Sequence, residues 1–421
     1  MPQHNETGIP TEQLFLVFVN RDESEDEYTE LELEGLVEAA GGEVVGSTRQ
    51  RLDRPYKAHY VGTGKVEEIT AYVAETQATA AVFDCELSGI QIRNLEEKLG
   101  VRVIDRTQLI LDIFATRART REGQLQVELA QLTYMLPRLM SVYTKFERQR
   151  GGIGMRGPGE TKLESDRRMV RNRLAKLKEE IEGVKQHRVQ QRASRRDQPY
   201  PVVAIVGYTS AGKSTLMNKV CNTDLLADAM PFATLDPTVR KVEIQDGYTF
   251  FLSDTVGFIR HLPTMLVAAF RATLEEVIHA DLLLHVIDVS HDQWEVQSDA
   301  VLQTIEDLGA SGVPVLTVFN KIDILEDPTM ARRLVSEWPN SVAISAKTGV
   351  GINDLFAMIP KMLSDRMQMI EALVPYDQAN LVENAYDYGR VFEKEYREEG
   401  IFVRAELVPE MRGRLAKFEV S

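Results

Sequence analysis

Apolar and polar positions along the first hundred or so residues follow two rhythms in turn. Gln13–Asn20 (QLFLVFVN) and the stretches 42–47, 79–84 and 101–104 are apolar runs of strand length. Between them, 30–40, 64–75 and 90–99 carry the spacing of amphipathic helices. Strands alternating with helices predict a small α/β domain over residues 1–115. The rhythm then changes. Leu125, Leu129, Leu132, Leu136 and Leu139 recur at steps of four and three, and Leu163, Val170, Leu174, Leu177, Ile181 and Val184 do nearly the same. Each set predicts one apolar seam on a long helix. Between them, 150–160 (RGGIGMRGPGE) holds five glycines and a proline and is expected to be non-helical. Two helices joined by such a breaker fold back as an antiparallel hairpin, here 116–198, with the glycine loop at its tip. The polar stretch 190–201, ending in proline, reads as a linker.

From 199 to 366 the pattern is that of a mostly parallel sheet with helices on both faces. The apolar runs 201–206, 282–289, 313–319 and 341–344 are its buried strands, and 241–244 with 249–252 suits an antiparallel hairpin at its edge. Residues 367–421 form a small C-terminal α+β unit, with strands expected at 390–393 and 401–407.

Charge sharpens this division. The chain has 49 Lys and Arg against 64 Asp and Glu, a net charge of −15. Yet residues 117–196 hold 20 basic and 9 acidic side chains, so the hairpin is basic within an acidic protein. Such a segment is either a solvated charged helix pair or a local place for phosphate contacts. Few aromatic residues flank its tip, which disfavours base stacking as the main mode of contact. Cys85 and Cys221 are the two cysteines, too few for a disulfide framework or a four-thiolate zinc site. No apolar run approaches a membrane span, and the polar start 1–10 lacks a signal-peptide pattern. A cytoplasmic protein, acting as a monomer, is expected.

The strongest chemical signal is Gly207-Tyr208-Thr209-Ser210-Ala211-Gly212-Lys213-Ser214, followed by Thr215. It matches GxxxxGK[ST] directly after a buried strand and before a helix. Its glycines let backbone N–H groups turn toward phosphates, Lys213 reaches the β- and γ-phosphates, and the Ser214 hydroxyl is a ligand for Mg2+. Asp254-Thr255-Val256-Gly257 follows the next strand. There Asp254 holds the metal through water and the Gly257 N–H can meet the γ-phosphate. Asn320-Lys321-Ile322-Asp323 closes a further strand. A carboxylate at that place accepts two parallel bonds from guanine N1–H and its 2-amino group, which adenine cannot supply. Ser345-Ala346-Lys347 ends the last strand and can offer a backbone N–H to the guanine carbonyl. Strand ends converging on one ligand obey the switch-point rule of open α/β sheets, so the pattern predicts a GTPase. A P-loop kinase would leave Asp323 without a role.

Phe232-Ala233-Thr234-Leu235-Asp236 lies where a first switch segment should order with GTP. Thr234 is the expected second magnesium ligand, with Thr238 as the alternative. Lys213, Thr234 and Gly257 are then the candidate catalytic groups. The residue after Gly257 is Phe258, which can neither donate nor accept, where Ras-type enzymes use a glutamine to orient water. Slow turnover by the isolated chain, raised by a partner, is the expectation.

These residues resemble the HflX family of GTPases: GYTSAGKST at 207–215, FATLDPT at 232–238 and DTVGFIRHLP at 254–263. Outside that domain, GGIGMRGPGETKLESDRR at 151–168 and YVGTGKVEEI at 60–69 are similar to the same family. The resemblance implies a protein that binds the large ribosomal subunit and its rRNA. With GTP, such a protein splits stalled or idle ribosomes under stress. It also implies that the hairpin tip, with Arg148, Arg150, Arg156, Lys162, Arg167 and Arg168, touches RNA. An RNA-binding assembly module with incidental turnover, or a regulator whose arm grips a protein, are the competing readings. One departure is Ser210, where many relatives carry an asparagine that helps hold potassium, which puts potassium-stimulated hydrolysis in doubt.

Overall fold

The computed structural model describes residues 11–20, 26–147, 158–196, 200–221, 231–232, 238–244, 248–260, 276–364, 368–387, 389–407 and 409–420. The chain divides into two compact units. One comprises Met1–Val184, Met230–Asp236 and His261–Phe270; the other comprises Lys185–Ala229, Pro237–Arg260 and Arg271–Ser421.

The first unit runs β1 (Gln13–Asn20), α1 (Asp26–Ala39), β2 (Glu43–Arg51), α2 (Thr63–Thr76), β3 (Ala80–Phe83), α3 (Gly89–Leu99), β4 (Arg102–Asp105), α4 (Arg106–Arg117), α5 (Arg121–Glu147) and α6 (Pro158–Arg196), of which the residues from Lys185 onward count with the second unit. Its strands are parallel in the order β2-β1-β3-β4. Central β3 is buried along its whole length, as a strand covered on both faces must be. Phe15, Val17, Ile69, Phe83 and Leu95 pack its core. Ser88 and Gln91 cap α3 reciprocally, and Gly100 ends it in the left-handed region. Helix α4 was not among the expected elements. It starts directly after β4 because Asp105, the last residue of that strand, accepts from the Gln108 N–H at 2.9 Å.

α5 and α6 form the expected hairpin. Arg121 bonds Glu180 at 3.0 Å and Arg173 grips Glu128 with two nitrogens at 2.6 and 2.7 Å, pairs that run in opposite directions along the two helices. Leu125 and Leu177 are buried, as their seams require. The other face of α5 is tied to the end of β4. The Tyr134 hydroxyl donates to Asp105 at 2.7 Å, and Arg138 donates to Asp105 at 2.9 Å and to the Leu87 carbonyl at 2.8 Å. Two boundaries need correction. α6 already begins at Pro158, inside the stretch expected to be non-helical, because proline suits the first turn of a helix. It also continues to Arg196, through most of the expected linker.

The second unit contains β5 (Val202–Gly207), α7 (Lys213–Cys221), β6 (Thr238–Glu243), β7 (Thr249–Asp254), β8 (Leu282–Asp288), α8 (Trp294–Asp307), β9 (Val315–Asn320), α9 (Pro328–Glu337), β10 (Ser341–Ala343) and α10 (Ile352–Ser364). The strand order is β10-β9-β8-β5-β7-β6, parallel except for the β6–β7 edge pair, as expected from the sequence. Val203, Ile205, Leu252, Leu284, Val318 and Leu355 fill the core. A smaller antiparallel sheet, β11-β13-β12, follows, from β11 (Gln368–Val374), α11 (Ala379–Asp387), β12 (Gly389–Arg397), β13 (Gly400–Leu407) and α12 (Pro409–Leu415). Its core joins Ile370, Val374, Val382, Val403 and Met411. β11 is a strand the sequence pattern did not reveal. Among the described residues, no helix is long and apolar enough to cross a membrane.

Candidate nucleotide-binding site

The strand β5 is buried and ends at Gly207, whose φ is +154°. A Cβ there would lie 2.3 Å from the Val286 carbonyl oxygen of β8, so the turn out of the sheet requires glycine. Gly212 is equally constrained: φ is +93°, and a Cβ would lie 2.3 Å from Asn320 Nδ2. Ser210 also sits in the left-handed region, at φ +60°. Asparagine tolerates that region better than serine, so an asparagine would fit this backbone with less strain.

Lys213 is 7% exposed. Its ammonium folds back onto the loop, donating to the carbonyls of Gly207 at 3.1 Å and Tyr208 at 2.7 Å. Burial pushes it down to about 8, against the pull of Asp254. The Ser214 hydroxyl donates to Asp254 Oδ2 at 3.2 Å, which places together the hydroxyl and the carboxylate expected around magnesium. Thr255 ties this strand end to the sheet, its hydroxyl donating to the Ile205 carbonyl at 2.6 Å. Thr238 opens β6 in register with Asp254. Ala233, Thr234, Leu235 and Asp236 lie outside the described residues. Phe232 is described, and its buried ring packs edge-on against Phe114 of α4, ring centroids 4.7 Å apart. Its side chain is thereby engaged in packing.

The base-side segments are joined by one side chain. Asn320 Nδ2 donates to the Ala211 carbonyl at 2.8 Å, and its Oδ1 accepts from the Ala346 N–H at 2.9 Å. Asn320 thus ties the phosphate loop, the end of β9 and the loop after β10 into one piece. The Ser345 N–H is engaged by the Val350 carbonyl at 2.9 Å. Lys321 Nζ pairs with Asp288 at 2.6 Å, while Ile322 and Lys347 lie on the same two loops and Asp323 is exposed. Buried Asn320 and exposed Asp323 divide the work: one holds the loops together, the other faces outward.

A further link had no signal in the sequence, because most of it is backbone. The Thr209 N–H donates to the Phe258 carbonyl at 2.8 Å, and the Phe258 N–H to the Gly207 carbonyl at 3.1 Å. Phe258 itself is 2% exposed, so its ring belongs to the core. Among the described residues, no group of three or more His, Cys, Asp or Glu is placed to hold a metal ion.

Comparison with known proteins agrees with this geometry. Residues 202–321 match the family model described as "50S ribosome-binding GTPase". Residues 27–115 and 117–195 match "GTP-binding GTPase N-terminal" and "GTP-binding GTPase Middle Region", and 330–413 match "HflX C-terminal domain". The GTPase HflX of Caldanaerobacter subterraneus subsp. tengcongensis is 47% identical over 94% of this chain and 91% of its own. The chain belongs to the HflX family. The GTPase HflX of Escherichia coli is 45% identical over 92% of this chain and 91% of its own, and that of Lacrimispora saccharolytica 44% over 96% of both. As an HflX-family member with an assembled phosphate loop, the protein is a GTP hydrolase of the ribosome-binding class.

Proposed function

We propose that this GTPase binds the large ribosomal subunit through the tip of its α5–α6 hairpin and couples the GTP cycle to splitting or rescue of idle or stalled ribosomes. The observation that carries the nucleotide half is Asn320 joining the phosphate loop to both base-side loops. A single ligand with a purine at one end and phosphates at the other fits that connection. In this reading Asp323 takes guanine N1–H and the 2-amino group, and a backbone N–H of the 345–347 loop meets the guanine carbonyl. The loop 207–215 wraps the phosphates, and Lys213 leaves the Gly207 and Tyr208 carbonyls for them.

The donor set suits Mg2+, a hard cation that takes oxygen ligands, because a hydroxyl and a carboxylate already meet at Ser214 and Asp254. Ser214 and Thr234 would hold it directly, and it would neutralise charge on the β- and γ-phosphates. Lys213 and the Gly257 N–H would face the γ-phosphate, with Thr234 closing over it. Phe258 supplies no polar group to the attacking water, so the isolated chain turns over slowly and the ribosome supplies the missing order.

Support for the ribosomal half is the excess of basic residues in 117–196 and the family model's description. Arginines pair with phosphates, and glycines let a tip approach RNA closely. Arg167 and Arg168 lie on the described part of α6; Arg148, Arg150 and Arg156 lie outside the described residues, as does the Lys162 side chain.

The base reading has a direct test. Asp323→Asn should weaken GTP by tenfold or more and improve xanthosine triphosphate, because an amide can accept from N1–H and donate to the 2-oxo group. Unchanged binding of both nucleotides would remove Asp323 from base recognition.

A further inference from the structure

Tyr208 stands in the phosphate loop at a position where the GxxxxGK[ST] pattern specifies no side chain. Yet its ring is buried, 4% exposed, and its phenol oxygen accepts the Arg260 N–H at 2.8 Å. The backbone around it does related work. Tyr208 and Phe258 form a parallel β-bridge, built from the Phe258 N–H donating to Gly207 and the Thr209 N–H donating to Phe258. Two grips therefore hold the segment after Asp254: one of main chain at Phe258, one from the phenol at Arg260. Gly257 is the residue just before the first grip. A Cβ on Gly257 would lie 3.0 Å from Lys213 Nζ and 3.0 Å from Thr209 Cγ2, so this backbone already lies against the phosphate-loop lysine. The Tyr208 carbonyl, in turn, is where that lysine donates at 2.7 Å.

We propose that Tyr208 is a positioning residue for GTP hydrolysis, its phenol holding residues 257–260 against the phosphate loop so that the Gly257 N–H is preset for the γ-phosphate. The inference rests on the GTP site described above and goes beyond it by giving a loop side chain a role specific to the third phosphate. The physical reason is pre-organisation. A backbone donor that is already in place costs no ordering when the γ-phosphate arrives, whereas a loose one must be ordered at that moment. GDP lacks the third phosphate and gains nothing from the arrangement. The main-chain bonds at Phe258 persist with any residue at 208; the bond to Arg260 needs a hydroxyl.

Tyr208→Phe keeps the ring and removes the acceptor. A hydrogen bond of this kind contributes enough to change an equilibrium by roughly three- to tenfold. Affinity for a non-hydrolysable GTP analogue should therefore fall about three- to tenfold more than affinity for GDP, with kcat reduced by a similar factor. Hydrogen exchange at the Arg260 amide of the nucleotide-free protein should quicken, and thermal unfolding, run alongside, checks that the variant folds. If the analogue and GDP weaken equally, or neither changes, the phenol does not position the γ-phosphate donor and the proposal fails. An Arg260 amide that exchanges at the parent rate would overturn it as well. Failure of the parent chain to bind either nucleotide would instead overturn the site reading, a separable result.

Discussion

His285 lies on β8 in register with Val206, the residue before the phosphate loop, and is 1% exposed. Burial, with the nearby Lys213 charge adding, pushes its imidazole down to about 4. An unfolded chain takes up that proton near pH 6.5, so acid favours unfolding as pH falls from 6.5 toward 4. The full window corresponds to roughly 3 kcal/mol, and the part between pH 7 and pH 5 to about 2 kcal/mol. In denaturant titrations of the nucleotide-free protein, His285→Gln should lose about 2 kcal/mol less than the parent between those two pH values. Equal losses would show that the histidine is not held neutral by the fold. Asn320 carries a different burden, since its amide spends both ends on backbone partners in two other segments. Its place in the sequence was evident from the motif; that it bridges loops more than a hundred residues apart was not.

At the scale of elements, α5 is tied midway along its length to the end of β4. Asp105, last in β4, caps α4 and also receives Tyr134 and Arg138 from α5, so one carboxylate anchors two helices. Burial pushes the Tyr134 phenol up, and the Asp105 charge adds to this, so the hydroxyl stays a donor at neutral pH. The contribution to ribosome binding proposed for the arm can be isolated with Arg150→Glu combined with Arg156→Glu. Nucleotide affinity should stay at the parent value, while co-sedimentation with large subunits falls and its dependence on salt becomes shallower. Undiminished co-sedimentation would move the RNA contact elsewhere.

The arm's helices were legible from their leucine seams, and β5 from its apolar run before the glycine turn. α4 was not, because Leu109, Ile110, Leu111, Ile113 and Phe114 are all buried and leave little polar face to set a period. β11 escaped notice for another reason. Its partner β13 comes some thirty residues later, and no local turn joins the two. The ends of α6 were misjudged because glycine and proline near its start suggested a break, where the proline opens the helix. At the site, the loops were legible from their motifs; the Tyr208–Arg260 bond and the Phe258 bridge were not, since backbone pairing leaves no composition behind.

Over the whole molecule, a basic arm is carried by an otherwise acidic chain. Like-charge repulsion disfavours indiscriminate coating of nucleic acid by the rest of the protein, so the proposed phosphate contacts are assigned to the arm. The enzyme is built to match: an assembled phosphate loop, joined loops around the base, and a buried phenylalanine where a water-orienting side chain would stand. On the reading proposed above, such a site binds GTP and hydrolyses it slowly until a partner completes it. That coupling is the central claim, and steady-state GTP turnover with and without purified large ribosomal subunits tests it most directly. The account predicts slow hydrolysis by the chain alone and a steep, saturable rise as subunits are added. Turnover that stays flat across the titration, or that is already fast without subunits, would contradict it.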